Sequence, residues 1–413
     1  EGVPNNLAFR WRFKGGNVDE AFSQADHVIR ERIVYPRIVA NALEPRAAVA
    51  QYNRSTGELT LWVTSQNPHI LRLLISPMLG IPENKLRVVT PDMGAAFGSK
   101  SALHPYEVVV SWIAMDLGRP VKWVPTKGED FLFTIHAKDR VEHVEIAVKR
   151  DGTVLGLRVK TYAAMGAYLS TITPGILTWP FAVMLCGPYK FKAVESEVLG
   201  VFTNATPIEI SRGTPRPEVT WVIERAMDLV ARRLKMDPAE VRRKNLIEKA
   251  PYTAPTGVVY DSGEYRRVFE QALQAIDYDT WRKEQQKAFK DGRLLGIGIS
   301  SFVEMTGWGP SKAVRAAGFD VGQWESALVR VHPSGKVNVY SGSSPHGQGE
   351  GTAFAQIAAD ELWISMDDVE IVYGDTSNTP FGLGTYENRT TATGGAAIAL
   401  AARKVMQKAT KIA

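Results

Sequence analysis

Twice along the chain a β-branched strand runs into a turn of small residues and then into a helix. The first such turn covers residues 94–100, after KLRVV (Lys85 to Val89); the second covers 342–351, after KVNVYSG (Lys336 to Gly342). A glycine turn at a helix start leaves backbone N–H groups pointing outward, which suits an anionic or oxygen-rich ligand. The recurrence predicts an α+β fold, with two related layers of mixed sheets and helices facing one shared ligand.

The rest of the pattern fits that class. GELTLWV (Gly57 to Val63) alternates as a strand, and Pro68 and Gly80 bound a helix. A helix is expected over 104–117 and strands near 121–125, 140–149 and 153–162, the last two joined at Asp151–Thr153. Val222, Ile223, Met227, Val230 and Leu234 recur at helical spacing, and Asp237-Pro238 opens a short helix through Leu246. Residues 248–263, rich in Pro, Thr, Gly and Tyr, suggest a linker, with Ser262 as cap of a helix over 264–277. Strands are expected at 294–304 (LLGIGISSFVE), 326–332, 336–342 and 369–375, and helices over 352–363 and from about Thr393.

Composition excludes several functions. The charge of 49 − 44 = +5 over 413 residues is mild, and the densest basic group, Arg242 to Lys249, contains its own Glu, so nucleic acid is not an expected partner. Cys186 is the one cysteine; a disulfide, a Cys-rich zinc site and an iron–sulfur cluster on this chain are excluded. It sits in FAVMLCGPY, where a small buried hydrophobe is the simpler reading. No apolar run approaches a membrane span. The opening EGVPNNLAFRWRF has no Met and no leader-like apolar stretch, and looks like a chain entered partway.

The glycine loops fail the tests for phosphate cradles of known type. A P-loop needs Gly-Lys adjacent, and Ser99 separates Gly98 from Lys100. GQGEG at 347–351 lacks the acidic residue that closes a dinucleotide unit. His69, His104, His136, His143, His332 and His346 stand apart from one another in the sequence, so no metal ligand set is expected, and there is no GxSxG nucleophile. Five segments remain: Gln66-Asn67, Gly94–Gly98, Arg212–Glu218, Gly347–Gly349 and Gly382–Gly395. Together they offer amide, carboxamide and guanidinium donors for a large anionic ligand.

Several motifs carry a family resemblance: NALEPRA (Asn41 to Ala47), TSQNP (Thr64 to Pro68), GAAFGSK, SRGTPRPE (Ser211 to Glu218), DPAEVRRKNLI (Asp237 to Ile247), PHGQGEGTAFAQIAADEL (Pro345 to Leu362) and YGDT (Tyr373 to Thr376). In that order they resemble the molybdenum-binding large subunit of the xanthine dehydrogenase, aldehyde oxidase and carbon monoxide dehydrogenase family. The resemblance implies a first molybdopterin-binding domain over 1–247 and the N-terminal part of a second over 248–413, with the cofactor site between them and the second domain incomplete. It places Gln66, Phe97 and Arg212 at the metal. It assigns cofactor contacts to Gly94, Ala95, Ala96, Phe97, Gly98, Arg212, Gly213, His346, Gly347, Gln348, Gly349, Asn388 and Thr390, with Ser344 adjoining. No side chain is expected to ligate the metal directly.

The implied cofactor is molybdenum–molybdopterin in its cytosine dinucleotide form. The implied chemistry is hydroxylation of an aldehyde or related electron-poor carbon with water as oxygen donor. FAD and [2Fe-2S] clusters are expected on a flavin-binding medium subunit and an iron–sulfur small subunit, in the cytoplasm. Separate chains could supply the N- and C-terminal parts of the large subunit. The alternative is a non-catalytic member that serves as scaffold or partner-binding chain.

Departures from the family pattern sharpen this. Gly213 follows Arg212 where the carbon monoxide enzymes carry a copper-binding cysteine, and glycine cannot ligate a metal. Ser101 stands where an acid specific to xanthine is expected, which favours aldehydes over purines. The family's catalytic glutamate, in a Gly-x-Gly-Glu motif far downstream, is not expected before Ala413, and Glu304, Glu350 and Glu387 are not taken as substitutes; the isolated chain is expected to be inactive. Glu387-Asn388 replaces small residues, with Arg389 as the expected partner of Glu387. Ala95 and Ala96 replace glycines and narrow the backbone angles of their loop.

Overall fold

In the computed structural model, which describes residues 3–307, 311, 315 and 322–413, the alternating segment Glu58–Val63 is a strand with Leu59, Leu61 and Val63 buried. It pairs antiparallel with Ala48–Asn53 and parallel with Leu86–Val89; Val121–Trp123 closes the far edge of this four-stranded sheet. The helix Pro68–Leu79 begins at its proline and stops at Gly80, whose left-handed backbone (φ 66°) ends it. With Pro105–Leu117 it supplies Leu71, Ile75, Val110 and Ala114 to the core under the sheet.

The same arrangement recurs later. Ala327–Val331, Val337–Ser341 and Val369–Val372 form a three-stranded sheet, and the helices Glu350–Leu362 and Ala396–Ile412 pack on it through Phe354, Ala358, Ile398 and Ala402. In both sheets a parallel strand pair is joined through a helix. The two sheets share one compact unit, made of 39–137, 209–212 and 306–413. Asp375 ties them: its two oxygens accept from Nε and Nη2 of Arg87, at 3.0 and 2.5 Å, and Thr376 N–H donates to Val88 O.

The other unit comprises 1–38, 138–208 and 213–305. Its five-stranded sheet runs Leu7–Gly15, Ala193–Phe202, Val154–Gly166, His136–Val148, His27–Val39 in spatial order. The helix Arg216–Leu234 buries Val219, Val222, Ile223, Met227 and Val230 in a core shared with Val144, Ile146, Leu157 and Val159. The mixed sheets and helices are those of the expected α+β class.

Four local expectations are corrected. Residues 294–304 are extended but belong to no sheet among the described residues. The supposed linker 248–263 is built into its unit: Tyr252–Thr253 pairs with Val259–Tyr260, and the buried Tyr260 donates to Gly187 O at 2.6 Å. Ser262 does not cap the next helix; its hydroxyl donates to Asp261, and the helix runs Tyr265–Ala275. The last helix is preceded by a π-helical turn, Thr390–Gly395. Cys186 is fully buried, and burial pushes its thiol up to about 12, so it is an inert core residue.

Candidate active site

Gln66 is the hub of the site. It lies between the strand Glu58–Val63 and the helix Pro68–Leu79, 2% exposed. Its Nε2 donates to Thr385 O at 2.8 Å, and its Oε1 accepts Gly98 N–H at 3.0 Å. Its backbone N–H donates to Lys100 O, and its carbonyl accepts Thr385 N–H. One carboxamide therefore fastens the loop 94–98 to the loop 382–390. Gly384 sits so close that a Cβ would lie 2.4 Å from Gln66 O, and its φ is 84°. Only glycine fits there.

The loop 94–98 is held in a costly shape. Ala95 and Phe97 adopt φ of 77° and 55°, which side-chain-bearing residues rarely do. The narrowing expected from alanine is thus overridden at Ala95, while Ala96 is fully buried. Gly98, at φ 91°, passes so near Ile210 that a Cβ would lie 2.7 Å from its carbonyl oxygen. Gly94 N–H donates to Glu44, whose carboxylate also pairs with the buried Lys100 at 3.4 Å. Burial, more than any charge, lowers the Lys100 pKa, and its ion pair with Glu44 opposes that shift.

Arg212 joins this loop directly. Its N–H donates to Phe97 O at 2.9 Å, and its exposed guanidinium stands 5.7 Å from the Phe97 ring centroid. Phe97 is 37% exposed, an aromatic face open beside a cation. Gly213 follows at φ 83°.

The second glycine turn caps the helix Glu350–Leu362. Gly347 and Gly349 have φ of 102° and 86°, and a Cβ on Gly349 would meet nothing within 4 Å. Gln348 folds back: its Oε1 accepts His346 N–H at 2.8 Å and its Nε2 donates to Glu350 Oε1 at 2.8 Å. Burial lowers the His346 pKa, with Lys100 adding to the effect. Glu350 is buried, and burial raises its carboxyl to about 7. Its Oε2 lacks a well-formed hydrogen bond, with the Thr385 and Thr390 hydroxyls beside it. Met93 O, just before the first loop, is 3.9 Å from where a Gly347 Cβ would be.

Gln66, Phe97 and Arg212 are thus in one bonded cluster, and Gln348 reaches it through Glu350 and Thr385. All lie in one compact unit although they come from both sides of residue 247. Thr390 is buried in the π turn, while Asn388 is exposed at φ 54°. Arg389 does not pair with Glu387 as expected. It is fully buried against Glu325 at 2.8 Å and also donates to Trp324 O and Gly384 O. An acid 64 residues away in sequence, in contact only after folding, took that role.

Sequence reasoning missed Glu44, Thr385 and Glu350. Glu350 had a visible signal: Gly347-Gln348-Gly349-Glu350 does spell Gly-x-Gly-Glu, against the expectation that no such motif occurs. A carboxylate in the first turn of a helix that should greet an anion is itself a sign of a shifted proton. Glu44 and Thr385 had none, because their roles are set by chain crossings.

The site fits a bulky, oxygen-rich guest. Ser344 is fully buried yet its hydroxyl has no partner among the described residues, the glycine turn is open, and backbone N–H groups begin the helix behind it. No group of three or more His, Cys, Asp or Glu able to hold a metal ion occurs among the described residues. Such a site suits a protein of the class that grips a large polar cofactor by its periphery.

Comparison with known proteins specifies that class. Residues 1–246 and 271–413 match two family profiles, each described as a molybdopterin cofactor-binding domain. The chain is 40% identical over 402 residues to the carbon monoxide dehydrogenase large chain of Hydrogenophaga pseudoflava, covering 96% of this chain and 50% of that one. It is 33% identical over 412 residues to the nicotine 6-hydroxylase large subunit of Paenarthrobacter nicotinovorans, covering 99% and 50%. The structure of reconstituted CO dehydrogenase from Oligotropha carboxidovorans superposes with a TM-score of 0.91 at 37% identity, over 98% of this chain and 52% of that one. The chain belongs to the molybdopterin cofactor-binding family, among the molybdenum-binding large subunits of the xanthine dehydrogenase and carbon monoxide dehydrogenase group. It spans about half the length of the curated relatives it matches.

Proposed function

We propose that the chain is the cofactor-gripping part of a molybdenum hydroxylase that oxidises an aldehyde, or a related electron-poor carbon such as that of an N-heterocycle, with water as the oxygen source. The observation that carries this reading is the union of Gln66, Phe97, Gly98 and Arg212 in one cluster beside the open Gly347–Gly349 turn. When bound, the molybdenum–molybdopterin group, here taken in its cytosine dinucleotide form, supplies the oxygen-transfer and two-electron chemistry.

The side chains have separable tasks. Gln66 has one Nε2 hydrogen without a partner among the described residues after bonding Thr385 O, and offers it to an oxygen at the cofactor edge. Phe97 walls off water with its exposed ring, and Arg212 beside it supplies positive charge for oxygen ligands. Ser344, the helix start at Glu350 and Thr390 face the polar periphery, where Glu350, with a pKa of about 7, holds or releases a proton. Gly213 after Arg212 leaves no thiolate for copper, which argues against carbon monoxide as substrate although relatives act on it.

In this reading the electrons leave to FAD and [2Fe-2S] centres on a flavin-binding and an iron–sulfur partner subunit, in the cytoplasm. The domains are 1–247 and 248–413. Turnover of the assembled enzyme in H2(18)O with aldehydes, N-heterocycles and carbon monoxide tests the proposal. Label entering the carboxylate or hydroxylated ring supports it; oxidation of carbon monoxide alone, or product without label, contradicts it.

A further inference from the structure

Leu294–Val303 has the side-chain alternation of a strand and no strand beside it among the described residues. Leu295, Ile297, Ile299, Ser301 and Val303 are half-buried, while Leu294, Gly296, Gly298, Ser300 and Phe302 are exposed. In an extended chain the N–H and C=O of one residue point to the same edge, and neighbours point to opposite edges. The odd-numbered edge is tied to its own unit: Leu295 O accepts from Gln285 at 2.8 Å, and Ile299 O from Arg242 at 3.1 Å. The even-numbered edge has no backbone partner among the described residues.

Two further observations mark that edge as a seat. The segment forms one wall of a groove of about 590 Å³, whose other wall is the helix Tyr265–Ala275 with Val268, Ala272 and, just past its end, Ile276. Val268 and Phe302 are 63% and 60% exposed there. Gly296 and Gly298 face outward, neither has the backbone angle that demands glycine, and a Cβ on either would meet nothing within 4 Å. Nothing among the described residues needs glycine at these places; close approach by another backbone does.

We propose that the even-numbered edge of 294–304 accepts a β-strand from the remaining length of the large subunit, with that strand's apolar side chains entering the groove. The relatives carry about as many residues again outside the matched span, and such a length must be seated on surfaces like this one. An open, apolar strand edge is otherwise an aggregation hazard that chains cover or blunt with charge, and of the even-numbered residues 294–304 only Glu304, at the end, is charged. The proposal rests on family membership and large-subunit proportions, and is independent of the cofactor and substrate readings.

Amide hydrogen exchange read by mass spectrometry tests it, on the 413-residue chain alone and with the remaining half of the large subunit supplied in cis or in trans. The expected result is fast exchange at Gly296, Gly298, Ser300 and Phe302 in the chain alone, slowed roughly 100-fold or more in the complete large subunit. Gly298→Val should leave the melting temperature of the chain alone unchanged and abolish that slowing. The proposal is overturned by protection in the chain alone, including protection that grows with concentration, which would seat a second copy there. It is equally overturned if the edge stays unprotected in the complete large subunit, or is protected only after the other subunits join.

Discussion

Replacing Glu350 by Gln should change how stability depends on pH, by an amount the structure sets. The carboxyl is buried at the start of the helix Glu350–Leu362, and burial raises its folded pKa from 4.5 to about 7. A raised pKa means the folded chain holds the proton more tightly than the unfolded chain. That stabilisation is therefore complete below about pH 4.5 and is lost as pH rises to about 7, at about 1.4 kcal/mol per pH unit. The total loss is 2.5 units, or about 3 kcal/mol. Glu350→Gln keeps an oxygen to accept from Gln348 and cannot ionise. The assay is urea unfolding of both proteins from pH 4.5 to 8.5. Their difference should be near zero at pH 4.5 and grow to about 3 kcal/mol in favour of the variant by pH 8. Glu107, also raised to about 7 by burial, is common to both proteins and cancels in the difference. A difference that is flat across this range would refute the reasoning.

Other substitutions test other joints. Gln66→Leu strips Gly98 N–H and Thr385 C=O of their Gln66 partner in a buried place, at up to about 1–3 kcal/mol each, so the denaturation midpoint should fall by an equivalent of about 2–6 kcal/mol; a loss below about 0.5 kcal/mol would contradict the hub role. Ala95→Gly relieves the left-handed residue and should stabilise by about 1 kcal/mol in the same assay; no gain would mean the loop relaxes without strain. Arg242→Met strands the buried Glu224, whose pKa burial already raises, and should cost about 3–5 kcal/mol. Adding Glu224→Gln should recover much of that loss, measured by a double-mutant cycle; simple additivity would show that the pair is not coupled.

Much of the scaffold was legible because the signals are local. The alternation of Leu59, Leu61 and Val63 and the Pro68 and Gly80 boundaries mark their elements correctly, since sterics and period act within a few residues. The clustering of Gln66, Phe97 and Arg212 followed from family motifs, but the means did not: a carboxamide bridging Gly98 and Thr385 is a contact across 319 residues. Arg389 illustrates the limit, since Glu387 is the nearer acid in sequence and Glu325 is the partner in space. Leu294–Glu304 shows another: period 2 reports an extended chain with one face inward, and pairing requires a neighbour that pattern cannot reveal.

The most direct measurement is the molybdenum and pterin content of the assembled enzyme, by mass spectrometric metal analysis and by fluorescence of the oxidised pterin, for the natural protein and for Gly349→Val. The account predicts about one molybdenum and one pterin per chain, and loss of both when a branched side chain is forced onto the open turn at φ 86°. Natural protein that is fully assembled and carries neither, or a Gly349→Val protein that carries both in full, would contradict it.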